Sequence, residues 1–190
     1  RVVVIDPRRT ATCDLADLHL AIAPGADAFV FNGLLAYMQQ GGHLNTDYIA
    51  QHTQVIDAAI AKAEAVSPAE LAQATALTTQ ELHTFYQWFR YTEKTISFYS
   101  MGINQSATGT DKCNAIINCH LATGRIGKVG MGPFSMTGQP NAMGGREVGG
   151  LANMLAAHMD YNTENIATVS EFWQTDSLSQ KPGLKAVDLF

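Results

Sequence analysis

Four β-branched residues stand in an unbroken row at the start of the chain, Val2 to Ile5, and the polar turn Asp6-Pro7-Arg8-Arg9-Thr10 follows at once. A strand with one wet face alternates apolar and polar residues. A row without alternation belongs to a strand covered on both faces, as in a parallel sheet flanked by helices. Because the row begins in mid-element, residues 1–190 read as a piece of a longer chain.

The remaining elements fit that frame. Leu18–Ile22 reads as a second short strand, closed by the turn Pro24-Gly25-Ala26-Asp27. Asp27 then stands at the N-terminus of a helix that runs to Gln40 and stops at Gly41-Gly42. From about 45 to 91 the chain reads as helical. Within it Ser67-Pro68-Ala69-Glu70 combines an N-cap, a first-turn proline and a capping-box glutamate. A further helix opens at Thr78/Thr79 and places Leu82, Phe85, Tyr86 and Phe89 at helical spacing, as core residues. Thr95–Ser100 is a third strand, 101–109 a turn, and about 110–122 a helix with Ile116, Ile117 and Leu121 on its buried side. A glycine-rich loop occupies about 123–150. Helical stretches are expected near 150–157 and 168–175, before a tail containing Pro182-Gly183. The order predicts an α/β fold: an open, mostly parallel Rossmann-like sheet flanked by helices, with a helical middle segment. Ligands of such sheets bind beyond the carboxyl ends of the strands. Three polar turns fall there, at 6–10, 24–27 and 101–105.

Composition removes several functions. The net charge is −5 and Arg8-Arg9 is the one adjacent basic pair, so a nucleic-acid groove is not expected. No apolar run reaches the roughly 18 residues of a membrane span. Cys13, Cys113 and Cys119 are an odd set at wide spacing, which fits buried thiols better than a disulfide framework or a metal site. The six histidines form no HxH or HExxH pair, and no GxSxG elbow, P-loop or GxGxxG after the first strand is present. The chain carries binding groups without an evident nucleophile or metal cage.

Among those groups, Asp6 and Asp27 are carboxylates just beyond strands, suited to accept paired N–H or O–H bonds from a sugar or a guanine edge. Arg8 and Arg9 offer planar forks for phosphate oxygens, or else a surface ion pair within the turn. Gln105 suits a heterocycle edge or turn stabilisation, and Met101 suits the core or a ligand contact. Eleven of the sixteen glycines lie between Gly102 and Gly150. Ordering glycine is entropically costly, so such a run implies tight turns, close packing or a backbone pressed on a ligand.

The run YSMGINQSATGTDKCNAIINCHLATGRIGKVGMGPFSMTGQPNAMGGREVGG, residues 99–150, resembles one family. It is similar to the oxidoreductases that carry molybdenum on two molybdopterin guanine dinucleotides, and within them to the assimilatory type of bacterial nitrate reductase. The resemblance extends over essentially all of residues 1–190 as one cofactor-binding domain, and is least diagnostic around 57–75 and 158–190. It implies that Asp6, Pro7, Arg8, Arg9 and Thr10 face the guanosine and phosphate portion, and that Gly25, Ala26 and Asp27 complete the nucleotide pocket. Met101 and Gln105 correspond to positions nearer the metal. The glycine-rich loop would run beneath the molybdenum, with Thr137, Gln139 and Arg146 at the oxyanion pocket. Arg146 could bind nitrate bidentately or pair with Glu147 to brace the loop. Formate dehydrogenases of the family carry an Arg two residues before the loop Gln; here that position is Thr137. The family's [4Fe-4S] cysteines and its protein ligand to molybdenum lie upstream, so no metal ligand is expected here. The second dinucleotide is held largely by a downstream domain. These implications describe a segment that is inactive alone and depends on the rest of its chain, nitrate and an electron-donor protein or subunit. The assimilatory likeness points to the cytoplasm, with the periplasm left open.

Overall fold

The computed structural model describes residues 1–138, 141–185 and 188, so Gln139 lies outside the described residues. The chain divides into two compact units, Arg1–Met136 and Thr137–Phe190.

The first unit is α/β, and its strands are parallel. β1 (Val3–Ile5) pairs with β2 (Leu18–Leu20), setting Val3 against Leu18 and Ile5 against Leu20. A short 3-10 turn, Ala11–Leu15, joins them. β3 (Ile96–Tyr99) pairs with β4 (Gly132–Ser135), Ile96 against Gly132 and Tyr99 against Ser135. Among the described residues the sheet is therefore two separate two-stranded pairs rather than one continuous ladder. β4 lies inside the segment expected to be loop. Gly132 and Pro133 are poor strand formers, but the β3 backbone supplies partners: Gly132 N–H donates to Thr95 O (3.0 Å) and Met136 N–H to Tyr99 O (2.7 Å).

Seven helices accompany these strands among the described residues: α1 (Asp27–Gln40), α2 (Thr46–His52), α3 (Ile56–Glu64), α4 (Pro68–Thr75), α5 (Thr79–Tyr91), α6 (Met101–Asn104) and α7 (Gly109–Ala122). The expected Ser67–Glu70 capping box forms, and the structure adds a second at the Thr78 start of α5. Ser67 Oγ accepts from Glu70 N–H while the Glu70 carboxylate accepts from Ser67 N–H (2.9 Å), and Thr78 and Glu81 repeat the exchange at α5. These reciprocal bonds satisfy donors that a helix start leaves unpaired.

α1 is the centre of the core. Its Val30, Leu34 and Leu35 are fully or almost fully buried among Leu82, Phe85 and Phe89 of α5 and Ile116 and Cys119 of α7. The α1–α5 approach is close because Gly33 has no Cβ; one placed there would run into the Tyr86 hydroxyl and the Leu71 side chain. That hydroxyl donates to Val30 O at 3.0 Å. The buried stripe of α7 runs through Lys112, Ala115, Ile116, Cys119 and His120, not through Ile117 and Leu121, which are half-buried. This is the i, i+3, i+4, i+7, i+8 face, so the expected register is right at Ile116 and wrong at its neighbours.

The second unit is smaller. α8 (Ala142–Glu147) and α9 (Thr163–Trp173) flank a 3-10 turn at Ala156–His158, and Leu155, Ile166 and Val169 form a separate core. Asn162 caps α9, its side chain accepting from Asn165 N–H at 2.8 Å. The helix expected near 150–157 is only that 3-10 turn, and the one expected at 168–175 begins earlier, at the Asn162 cap. Gly149, at φ +72°, sits against the backbone of Leu155 and Ala156, where a side chain would not fit. Packing inside the unit thus accounts for part of the glycine richness.

Candidate functional site

The ends of β1, β2 and β3 open on one cleft of about 790 Å³. Asp6, Pro7 and Arg8 reach it from β1, Pro24, Gly25 and Asp27 from the turn after β2, and Ser100 and Gly102 from the end of β3. The three polar turns singled out by sequence are brought together. Deeper in the cleft the walls are apolar, with Phe31, Phe85, Phe89 and Ile116. Consecutive residues Ile96, Ser97, Phe98 and Tyr99 also line it, so β3 meets the cleft by its edge rather than by one face.

The individual candidates differ in how they are held. Asp6 Oδ1 accepts from Arg8 N–H at 2.7 Å, closing a local turn, and lies 3.8 Å from Arg8 Nε. The Arg8 side chain is 83% exposed, so its fork remains available at the rim. Arg9 instead donates to Asp14 at 2.9 Å on the surface, and neither Arg9 nor Thr10 lines the cleft. Gly25 has φ +89°, and a Cβ there would meet nothing within 4 Å, so its backbone faces open space. Ala26 is buried as the N-cap of α1. Met101 and Gln105, at the start and C-cap of α6, are exposed beside the cleft rather than among its lining residues.

Asp27 is the most constrained member. Its Oδ2 meets Lys112 Nζ at 2.8 Å, with the lysine side chain 5% and the aspartate side chain 16% exposed. Sequence reasoning did not select Lys112. Its position on the helix stripe shared with Ile116 and Cys119 was the available signal.

A second polar cluster lies behind β3. His120 is fully buried, and its Nε2 lies 2.8 Å from Ser97 Oγ, which lines the cleft. The Phe89 ring has the His120 ring edge-on at 5.3 Å and the Arg125 guanidinium at 4.4 Å. Burial, assisted by the nearby Arg125 charge, pushes the imidazole down to about 4, so His120 is neutral at pH 7. Cys119 donates to Phe31 O at 3.1 Å, and burial pushes its thiol up, as in an inert core cysteine.

Thr137 and Arg146 are both exposed in the second unit. The alternative of an Arg146–Glu147 brace does not form. Glu147 Oε1 instead meets His158 Nε2 at 2.9 Å, and Arg146 has no ion-pair partner among the described residues. His158 reaches it from a backbone turn in which Ala157 and His158 both have positive φ.

Comparison with known proteins gives this arrangement its class. The family model for molybdopterin oxidoreductases matches residues 1–189, and the chain belongs to that family. It is 52% identical over 191 residues to a nitrate reductase of Klebsiella oxytoca, covering all of this chain and 21% of that protein. It is 47% identical over 192 residues to a nitrate reductase of Shewanella frigidimarina, covering all of this chain and 20% of that one. The chain thus spans about a fifth of the length of these curated relatives. Among solved structures, acetylene hydratase from Pelobacter acetylenicus superposes with a TM-score of 0.51 at 23% identity, over 64% of this chain and 16% of that one, which shows the fold.

Family membership implies a molybdopterin cofactor, and the cleft fits the polar end of such a group. Asp27 keeps one carboxylate oxygen without a hydrogen-bond donor among the described residues, the Gly25 backbone is open, and the largely exposed Arg8 guanidinium pairs only loosely with Asp6, at 3.8 Å through Nε. No described helix is long and apolar enough to cross a membrane.

Proposed function

We propose that residues 1–190 form a cofactor-binding domain of a molybdenum-dependent nitrate reductase, gripping one of two molybdopterin guanine dinucleotides and inactive alone. The observation that carries this reading is the convergence of three strand-end turns on one cleft, in a chain whose similar relatives are nitrate reductases. Asp27 accepts the N–H donors of the guanine edge, Arg8 neutralises phosphate at the rim, and the Gly25 backbone lets the ligand approach. Asp6 holds the turn that presents Arg8, and Met101 and Gln105 contact the ligand further along. Thr137, Gln139 and Arg146 bind nitrate, a flat monoanion to which a guanidinium fork can donate twice. When bound, the molybdenum–pterin group supplies the redox chemistry that converts nitrate to nitrite, while these side chains bind and orient.

The [4Fe-4S] cluster and the molybdenum ligand belong to other parts of the full protein, which works in the cytoplasm with an electron-donor partner. Two measurements on that full-length protein test the reading. With a reduced dye it should reduce nitrate and show no formate oxidation, and Asp27→Ala should lower bound guanine nucleotide per chain. Formate oxidation, or unchanged nucleotide content in Asp27→Ala, would refute it.

A further inference from the structure

A lysine is almost never buried without a partner, and burying an ion pair costs desolvation that its attraction only partly offsets. Lys112 is nonetheless 4% exposed, in the first turn of α7, and its ammonium is spent on Asp27 Oδ2 at 2.8 Å. Asp27 has no evident need of that cation. It opens the fourteen-residue helix α1, whose N-terminal dipole already favours a carboxylate. What the ammonium adds is geometry. It ties the carboxylate of one helix to the flank of another, while the second oxygen, Oδ1, has no donor among the described residues. Asp27 meanwhile lines the cleft.

We infer that Lys112 is a positioning residue for ligand binding, orienting the Asp27 carboxylate toward a heterocycle edge that presents two adjacent N–H donors. The inference rests on the reading of the cleft given above. An ionised carboxylate is acceptor-only, so held in one plane it matches an edge with two donors and rejects an edge that alternates donor and acceptor. Without Lys112 the carboxylate would turn about its own bonds, and each ligand bond would have to order it anew.

The test uses the full-length holoenzyme and reads guanine nucleotide, not turnover: content per chain after acid release, and the rate of loss on incubation below the unfolding temperature. Lys112→Met should lose nucleotide about tenfold faster than the unmodified protein, the scale of one charge-assisted hydrogen bond. If Lys112→Met fails to fold, the double variant Asp27→Asn, Lys112→Met, which removes both charges together, is compared with Asp27→Asn alone, because a lysine that acts through the carboxylate has nothing left to orient once that carboxylate is an amide. Equal rates of nucleotide loss in those two variants, both folded at the assay temperature, support the positioning role. Normal retention in Lys112→Met, or a double variant that loses nucleotide clearly faster than Asp27→Asn, overturns it and leaves Lys112 a packing residue. Normal retention in Asp27→Ala overturns the reading of the cleft as well, which separates the two failures.

Discussion

The buried imidazole of His120 makes an acid sensitivity that can be calculated. Its ordinary value is 6.5, and burial, with Arg125 nearby, lowers it to about 4 in the folded protein. The unfolded chain therefore binds one more proton than the folded chain between these values, so stability falls as pH falls across that interval. Above pH 6.5 the contribution is fully present, and below about 4 it has gone. The interval corresponds to about 3 kcal/mol at 1.36 kcal/mol per pH unit. Denaturant unfolding followed by circular dichroism at pH 7.5, 6.5, 5.5 and 4.5, on the unmodified chain and on His120→Gln, measures it. The variant should start less stable, having lost the Phe89 and Ser97 contacts, but its stability should decline by roughly 2 kcal/mol less over the window. The capping carboxylates do not blur the comparison. Glu70 and Glu81 are held below the usual carboxylate value by the Ser67 and Thr78 hydroxyls, so their contribution is lost only as pH falls below about 4.5. Parallel slopes in the two proteins between pH 6.5 and 4.5 would refute the reasoning.

Three further outcomes follow from the packing and the site. Gly33→Ala places a Cβ against Tyr86 and Leu71 and should cost about 1–3 kcal/mol in chemical denaturation; a change under about 0.5 kcal/mol would mean that α1 and α5 can separate freely. Thr78→Ala removes one half of the α5 capping box and should lower stability by about 1 kcal/mol with an unchanged denaturant slope. Arg146→Ala in the full-length protein should reduce kcat/KM for nitrate about 10- to 100-fold, the range for a charged hydrogen bond, with the melting temperature within a degree or two of normal. Unfolding of that variant with normal turnover by the remaining folded protein would make Arg146 structural.

Elements with local signals were legible in the sequence. The β-branched row, the Ser67 capping box, the Thr78/Thr79 helix start and the aromatics of α5 each declare themselves within a few residues, and the strand-end rule located three turns that share one cleft. Non-local pairing was not legible. β4 is a strand because β3 offers it a ladder, against the propensities of Gly132 and Pro133. Lys112 and His120 were hidden for a related reason: hydropathy counts Ile117 and Leu121 as inside and a lysine as outside. The buried face of α7 is set by where α1 lies. The Arg146–Glu147 brace, one of two readings of that pair, fails on geometry, since adjacent residues of a helix do not face each other, and Glu147 turns to His158 eleven residues on.

The two-by-two strand pairing has a practical side. Each pair leaves outer edges whose N–H and C=O groups have no ladder partner among the described residues, and beside them Ile96, Phe98, Phe134 and Met136 are exposed. Bare edges flanked by apolar side chains are templates on which further strands grow. Residues 1–190 prepared alone should therefore self-associate through these ladders as concentration rises. Light scattering would register that growth, and a lysine at Phe98 or Phe134 should suppress it, since an edge charge is how sheet proteins stay apart.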